Sequence, residues 1–323
     1  MPEGDTIFRA ARTLHRALAG HVVTRFETQY AQLARVHDDA PITGRTVEMV
    51  EARGKHLLIH VSASALAAGS RAAAGARQTT GALGTPTAAG AGSVGALLPV
   101  DGALVLRTHM LMSGSWHIYR TGERWQRSPA AARIVLGTAS FVAVAFTVPI
   151  AEFVLASDID TDEAIARLGP DVLAPEFDTA QAVARLSASA RSTVAEALLD
   201  QRAVAGIGNV YKSELLFLAG LWPFTTPPMV TQAQWTRLVR DARVLLRANV
   251  VDPSDAGVVT YRGMRRTTGR TNPEQRLYVY GRHGHPCRRC GTAILLRHHG
   301  EHNRSTYWCP RCQAPGDASG TPD

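Results

Sequence analysis

The sequence predicts an α+β protein in which an N-terminal β-sandwich with flanking helices is followed by a helical domain and a cysteine-bearing hairpin. Three observations predict it. Between residues 21 and 147 the chain reads as short β-like runs broken by Gly, Pro and charged turns. From Thr179 it changes to longer apolar helical text, and all four cysteines crowd into one window, Cys287–Cys312. With 323 residues the chain is long enough for two cores, because domains usually run about 100 to 200 residues.

The first element is a helix. In IFRAARTLHRALA (7–19), Ile7, Ala11, Leu14 and Leu18 fall on one helical stripe, and Asp5 or Thr6 stands where an N-cap belongs. Strands are expected at 21–28, 45–52, 56–61, 103–108, 115–120, 133–137 and 141–147, which together make the sandwich. Between Ser62 and about Val100 the text is Ala, Gly, Ser and Thr with scarcely any large apolar side chain. Such a segment cannot bury enough surface to offset its ordering entropy, so 62–100 is expected to be a flexible Ala/Gly-rich insertion between two strands. The N-terminal domain then spans 1–156, and an acidic, Pro-containing stretch, 157–177, is the expected hinge. Helices around 179–186, 193–200, 210–219 and 231–248, with a basic loop over 253–273, fill a second domain at 178–273. The hairpin occupies 274–313, and the tail APGDASGTPD (314–323) is expected to be disordered.

The cysteines form two Cys-x2-Cys pairs, Cys287/Cys290 and Cys309/Cys312, separated by 18 residues. Four thiolates at this spacing can close tetrahedrally on one Zn2+, with 292–297 and 304–308 as the strands between them. Two disulfides are the other reading of the same spacing. The lack of any other cysteine and of a signal peptide favours the metal. Such a site has no open coordination position, so the ion is expected to supply folding energy and no catalysis.

The formal net charge of +8 favours a polyanionic partner such as nucleic acid, and its distribution sharpens the point. Arg262, Arg265, Arg266 and Arg270 crowd one Gly/Thr-rich stretch, and Arg282, Arg288, Arg289, Arg297, Arg304 and Arg311 follow. No apolar run approaches the roughly 20 residues a bilayer requires, so no membrane partner is expected. Glu3 and Asp5 occupy the place of a signal peptide's basic region. A cytoplasmic protein is expected, associated with the nucleoid through DNA.

Residues 195–220, AEALLDQRAVAGIGNVYKSELLFLAG, pair two apolar helices across the segment AGIGN, a helix-turn-helix shape. Gly206 and Gly208 allow a tight turn that exposes amides and Asn209 at the start of the second helix, an arrangement suited to gripping phosphate. Read alone, Asn209 is equally a helix cap.

Several motifs together carry a family resemblance. MPEGDT at the start, RGKHLLIH at 53–60, HMLMSGSW at 109–116, LLDQRAVAGIGNVYKSELLF at 198–217, and YGRHGHPCRRCG through RSTYWCPRCQ at 280–313 resemble, in order, the Fpg/Nei (formamidopyrimidine-DNA glycosylase/endonuclease VIII) family. The resemblance covers nearly the whole chain except the insertion. It implies a helix-two-turn-helix domain with a zinc finger facing the sandwich, and damaged double-stranded DNA as the partner. No nucleotide cofactor is implied, and a monomer is expected.

The resemblance also implies base-excision repair by a bifunctional DNA glycosylase and abasic-site lyase. After removal of Met1, Pro2 presents a secondary amine, and the ordinary α-amino pKa of roughly 7.7 to 8 leaves a neutral fraction near neutral pH. By resemblance Pro2 is the nucleophile, Glu3 the neighbouring acid, and Lys55 the β-turn lysine that reaches the phosphate beside the lesion. Asn209 and Arg304 match family residues that bind the flanking phosphates. Met112, with Leu111, matches those inserted into the base stack; two methionines on a strand in the core are the plainer reading. Gly4 and the Tyr307–Trp308 pair point to the Nei side and to oxidised pyrimidines. The start departs from the commoner PEGPE, with Asp5 in place of proline and Thr6 in place of the second acid. The alternatives are an Fpg-type enzyme for oxidised purines and a catalytically silent zinc-ribbon DNA-binding protein.

Overall fold

A computed structural model describes residues 2–64, 102–250, 265–270 and 272–315. Almost all of the expected 62–100 insertion, most of the basic loop at 253–273 and most of the 314–323 tail lie outside the described residues. The chain forms two compact units, one of Met1–Ala11, Ala52–Leu57 and Glu163–Asp323, the other of Arg12–Glu51 and Leu58–Asp162.

The apolar stripe of the first helix, α1 (Gly4–Leu18), is buried as its periodicity requires: Ile7, Ala11, Leu14 and Leu18 are at most 2% exposed. The helix starts earlier than expected. The amides of Thr6 and Ile7 donate to the Glu3 carbonyl at 2.9 and 3.0 Å, so Asp5 and Thr6 lie inside the first turn and are not its cap.

The sheet-bearing unit builds on two four-stranded sheets. One runs in the order β1 (Arg25–Thr28), β6 (Ala132–Gly137), β7 (Phe141–Phe146), β5 (Ser115–Arg120). All its pairings are antiparallel, with Arg25 opposite Gly137 and Ser115 opposite Phe146. The other sheet is β2 (Val47–Arg53), β3 (His56–Val61), β4 (Leu104–His109), β8 (Ile150–Leu155). The Trp116 indole of β5 donates to Thr108 Oγ1 of β4 at 3.1 Å, joining the sheets through their cores.

Two elements here were not expected from the sequence. Strand β8 pairs antiparallel with β4 and sets Glu152 opposite Arg107, whose guanidinium donates to it at 2.6 Å. It follows Pro149, and its burial alternates poorly, which hides the period of two. Helix α2 (Ala31–Asp39) buries only Leu33 and starts at Tyr30 without a side-chain cap.

In the other unit, α3 (Glu163–Ala166) precedes α4 (Thr179–Ser187), α5 (Val194–Ala197), α6 (Asn209–Ala219) and α7 (Gln232–Val250). Asp178 caps α4 by accepting from the Gln181 amide at 2.8 Å, and Thr193 caps α5. Trp235, Leu238, Val239, Ala242 and Leu246 of α7 pack on Tyr211, Leu215 and Leu216 of α6. Val172 and Leu173, within the stretch read as a hinge, belong to the same core, and the Val172 amide donates to the Ala205 carbonyl at 3.1 Å. The hairpin is β9 (Leu295–His299) and β10 (Arg304–Trp308), antiparallel with Arg304 opposite His299. Among the described residues no helix is long and apolar enough to cross a membrane.

Candidate active site and metal centre

Helix α6 begins at Gly208, which has no side chain to cap the free amides of the first turn. Glu3 supplies the missing cap from the other end of the chain. Its Oε1 accepts from the Val210 amide at 2.8 Å and its Oε2 from the Tyr211 amide at 3.3 Å, which places a carboxylate on the positive end of the helix. The fit depends on two glycines. A Cβ at Gly208 would stand 2.3 Å from Glu3 Cδ, and one at Gly4 would stand 2.9 Å from the Gly206 Cα. Gly4 also donates its amide to the Gly206 carbonyl at 2.9 Å. The start of the chain is thus seated on AGIGN, with Glu3 fully buried and Pro2 half-buried beside it.

Lys55 sits in the turn between β2 and β3. Asp171 holds that turn, accepting the Gly54 amide at 2.6 Å and the Leu173 amide at 2.9 Å; burial pushes its carboxyl above its ordinary value despite these bonds. Burial lowers Lys55 to about 8, with Glu3 opposing the shift and Arg304 and Arg265 adding to it. Lys55 and Arg304 therefore share one electrostatic environment with Glu3.

Asn209 does not cap α6. It is the first helical residue, 4% exposed, and its Nδ2 donates to Ser305 Oγ at 2.9 Å while its Oδ1 accepts from Lys212 Nζ at 2.6 Å. Ser305 follows Arg304 on β10, so the two residues expected to meet phosphate are tied through adjacent positions.

Asp5 and Thr6 have a role that sequence reasoning missed. Arg265 donates to Asp5 through Nη2 at 2.5 Å and Nε at 3.1 Å, and to Thr6 Oγ1 at 3.3 Å. Its Nη1 lies 3.8 Å from Glu3 Oε1, and its guanidinium is 4.8 Å from the Tyr211 ring centre. Burial works to raise the Asp5 pKa, but Arg265 and then Arg9 outweigh it and hold the carboxyl below its ordinary value. The departure at position 5 is thus matched by a buried arginine from the basic stretch.

Met112 lies in the sheet-bearing unit, apart from this cluster in the chain's division. The core reading holds for Met110 and fails for Met112. Met112 is 60% exposed and Leu111 46%, whereas Met110 is buried at 2%. The turn that displays them is tight, with Leu111 at φ 44° and the Gly114 amide donating to the Met110 carbonyl at 2.8 Å.

The four cysteine sulfurs lie within 4.8 Å of one another. Cys287–Cys312, Cys290–Cys309 and Cys290–Cys312 are separated by 3.9, 3.4 and 3.5 Å, far too long for disulfides. Tetrahedral Zn–S bonds of about 2.3 Å require sulfurs roughly 3.8 Å apart, so the donor set fits a structural Zn2+. Glu214 of α6 secures the approach to this centre: its carboxylate accepts the amides of Tyr278, Val279 and Tyr280 at 2.8 to 2.9 Å, and the Thr267 hydroxyl. Lys212, Glu214 and Asp171 escaped sequence reasoning, and Arg265 entered it only as part of the basic stretch. The signal for the first two was two charges inside the largely apolar helical text NVYKSELLF.

Comparison with known proteins gives the class. The formamidopyrimidine-DNA glycosylase N-terminal domain matches residues 1–149, its H2TH domain residues 168–259, and the zinc finger found in FPG and IleRS residues 284–315. The fold agrees with solved Lactococcus lactis formamidopyrimidine-DNA glycosylase bound to abasic-site DNA, at a TM-score of 0.70 and 20% identity, covering 97% of this chain and 100% of that one. Among full-length relatives, probable endonuclease 8 2 of Streptomyces coelicolor is 38% identical, over 99% of this chain and 98% of its own. DNA-(apurinic or apyrimidinic site) lyase Nei2 of Mycolicibacterium smegmatis is 37% identical over 97% and 99%. The chain belongs to the Fpg/Nei family of DNA glycosylases, and its full-length relatives are of the endonuclease 8 type.

Proposed function

We propose that this protein excises oxidised bases, chiefly pyrimidines, from double-stranded DNA and cuts the strand at the resulting abasic site, with the Pro2 amine as nucleophile. One observation carries the reading: Glu3 is fixed on the amides of α6 next to Pro2, with Lys55, Arg304 and Arg265 in its electrostatic surroundings. A binding module has no need of such a seat for its first residues. The names of the full-length relatives, endonuclease 8 and abasic-site lyase, support the activity.

In the proposed reaction the Pro2 nitrogen bonds to the sugar C1′ and gives up its proton, while the glycosidic bond breaks and the base leaves with the bond's electrons and takes up a proton. The C1′–O4′ bond then opens as O4′ takes a proton, giving an iminium ion, since a secondary amine cannot form a neutral imine. The positive nitrogen draws electrons from C2′, a C2′ proton is removed, and the 3′ phosphate leaves. A second elimination releases the 5′ phosphate, and water hydrolyses the iminium to free Pro2. Glu3 exchanges the protons at O4′ and beside the iminium. Lys55, Asn209 and Arg304 hold the phosphates flanking the extruded nucleotide, and Met112 fills the space it leaves. The enzyme works as a monomer on cytoplasmic, nucleoid DNA and needs no nucleotide cofactor; its zinc is structural.

Borohydride trapping on an abasic-site duplex, with peptide mass mapping, tests the reading. The expected result is a covalent adduct whose mass maps to Pro2, with Pro2→Gly as the comparison. No adduct from zinc-loaded protein lacking Met1 would overturn the lyase claim. Comparing thymine glycol with 8-oxoguanine duplexes then tests the lesion class, and faster cleavage of 8-oxoguanine would overturn it.

A further inference from the structure

We propose that Lys212 is a positioning residue for DNA binding: its ammonium locks the Asn209 amide to the start of β10, so that Asn209 and Arg304 meet phosphate as one unit. The proposal rests on the phosphate-binding reading of those two residues given above.

Lys212 is fully buried, and its Nζ donates to Asn209 Oδ1 at 2.6 Å, Thr306 Oγ1 at 2.7 Å and the Ser305 carbonyl at 2.9 Å. An ammonium has three donors and no acceptor, so all its hydrogens are committed. This fixes the Asn209 amide. Turned over, its NH2 would face the ammonium, so the oxygen must point at Lys212 and the nitrogen away from it. One Nδ2 hydrogen goes to Ser305 Oγ at 2.9 Å, and the other remains to be donated to a phosphate oxygen.

The same ammonium grips the second and third residues of β10. From there the contacts continue through Thr306 Oγ1 to His299 Nδ1 at 3.1 Å on β9, and the Tyr307 amide donates to Ser213 Oγ at 3.4 Å. The strand that carries Arg304 is therefore registered against the first turn of α6 through Lys212.

No ion pair to Lys212 exists among the described residues. The charged groups that face it are Glu3 from the chain start, Arg304 on β10 and Glu196 on α5, with His299 beyond Thr306 on β9. Burial, aided by Arg304 and opposed by Glu3 and Glu196, brings Lys212 down to about 7. The sign follows: free protein near neutral pH holds the lysine only partly charged, an arriving phosphate favours the charged form, and binding takes up a proton. Affinity should fall as pH rises above about 7.

The test uses the full zinc-loaded chain and a duplex containing a tetrahydrofuran abasic analogue. Lys212→Met is expected to weaken binding about 10-fold, the loss of the oriented contact from the neutral Asn209 amide, and to flatten the dependence of affinity on pH between about 6 and 8. The slope of log Kd against log salt should stay unchanged, whereas a lysine that touches phosphate itself would lower it by about 0.9. A lowered slope, or affinity within about two-fold of wild type in a folded, zinc-loaded variant, overturns the proposal. If Lys212→Met does not fold, Thr306→Val removes one acceptor of the same ammonium. It should weaken binding about three-fold with the same salt slope, and unchanged affinity overturns the proposal. Borohydride trapping of the wild type separates the two readings. Without an adduct the lyase reading fails, while the pH and salt behaviour of binding still decides the role of Lys212.

Discussion

The two compact units bury different chemistry. In the sheet-bearing unit the interior is Leu58, Ile59, Leu104, Val105, Val144 and Phe146, and its buried guanidiniums act as local braces: Arg45 donates to the Pro41 and Gly102 carbonyls at 2.8 and 2.7 Å. In the other unit, Glu3, Asp5, Asn209, Lys212 and Glu214 are each at most 4% exposed and cluster around the first turn of α6. Apolar burial is non-directional and scales with area. Buried charge is directional, costly to desolvate and sensitive to pH. One unit holds a shape; the other holds orientations, and gives up stability to do so.

Substitutions can break this contrast, beginning with the largest effect. Cys309→Ser, or removal of zinc by a chelator, should unfold the hairpin that carries Arg304 and abolish DNA binding, since structural zinc is folding free energy. Metal analysis with circular dichroism checks this, and a zinc-free protein that binds abasic DNA normally would refute it.

Asp5→Asn takes from Arg265 the carboxylate it hydrogen-bonds, leaving only Glu3 at 3.8 Å, and should cost about 3 kcal/mol, read from urea unfolding. The Asp5 carboxyl titrates below its ordinary value of 3.8 in the folded protein, so its contribution is complete above pH 3.8 and lost as pH falls below. The variant should therefore be less sensitive to acid in that range. At the surface of the other unit, Arg25–Glu27 is a well-formed pair at 2.7 Å with both partners about half exposed. Glu27→Gln should cost about 0.5 kcal/mol or less, because solvent screens the pair. Equal costs for the two substitutions would erase the distinction between the units.

Glu214→Gln is isosteric, yet it turns an N–H toward the amides of 278–280 that the carboxylate now accepts. A loss of about 1.5–3 kcal/mol is expected from thermal unfolding, with DNA affinity falling as the finger loosens. The smallest effect on stability belongs to Met112→Ala. At 60% exposure it should change the melting free energy by about 0.5 kcal/mol or less while slowing lesion excision. A clear drop in stability would return Met112 to the core.

The legible parts of the molecule were those that local text determines. The strand runs around 56–61 and 115–120, the stripe of α1 and the cysteine spacing all depend on neighbours within a few residues. Strand β8 and helix α2 were missed because each shows one weak face, and β8 owes its existence to pairing with β4. The candidate site divides the same way. Pro2, Glu3, Lys55, Asn209 and Arg304 stood out through motifs, but nothing local says that Arg265 meets Asp5 or that Lys212 meets Asn209 and β10. Those meetings join residues separated by up to 260 positions. The cap on α6 is the plainest case, since Gly208 shows only that a side chain is missing there and not that Glu3 replaces it.

That cap also sets a schedule. Glu3 leaves the ribosome 207 positions ahead of Val210, whose amide it caps. At roughly 5–20 residues per second, the first residues wait on the order of 10–40 s before their seat exists. Until then the sheet-forming text can emerge and pair, but no chain interrupted short of α6 owns an assembled first turn for its own terminus. A product that ends short of α6 therefore lacks the amides that hold Glu3.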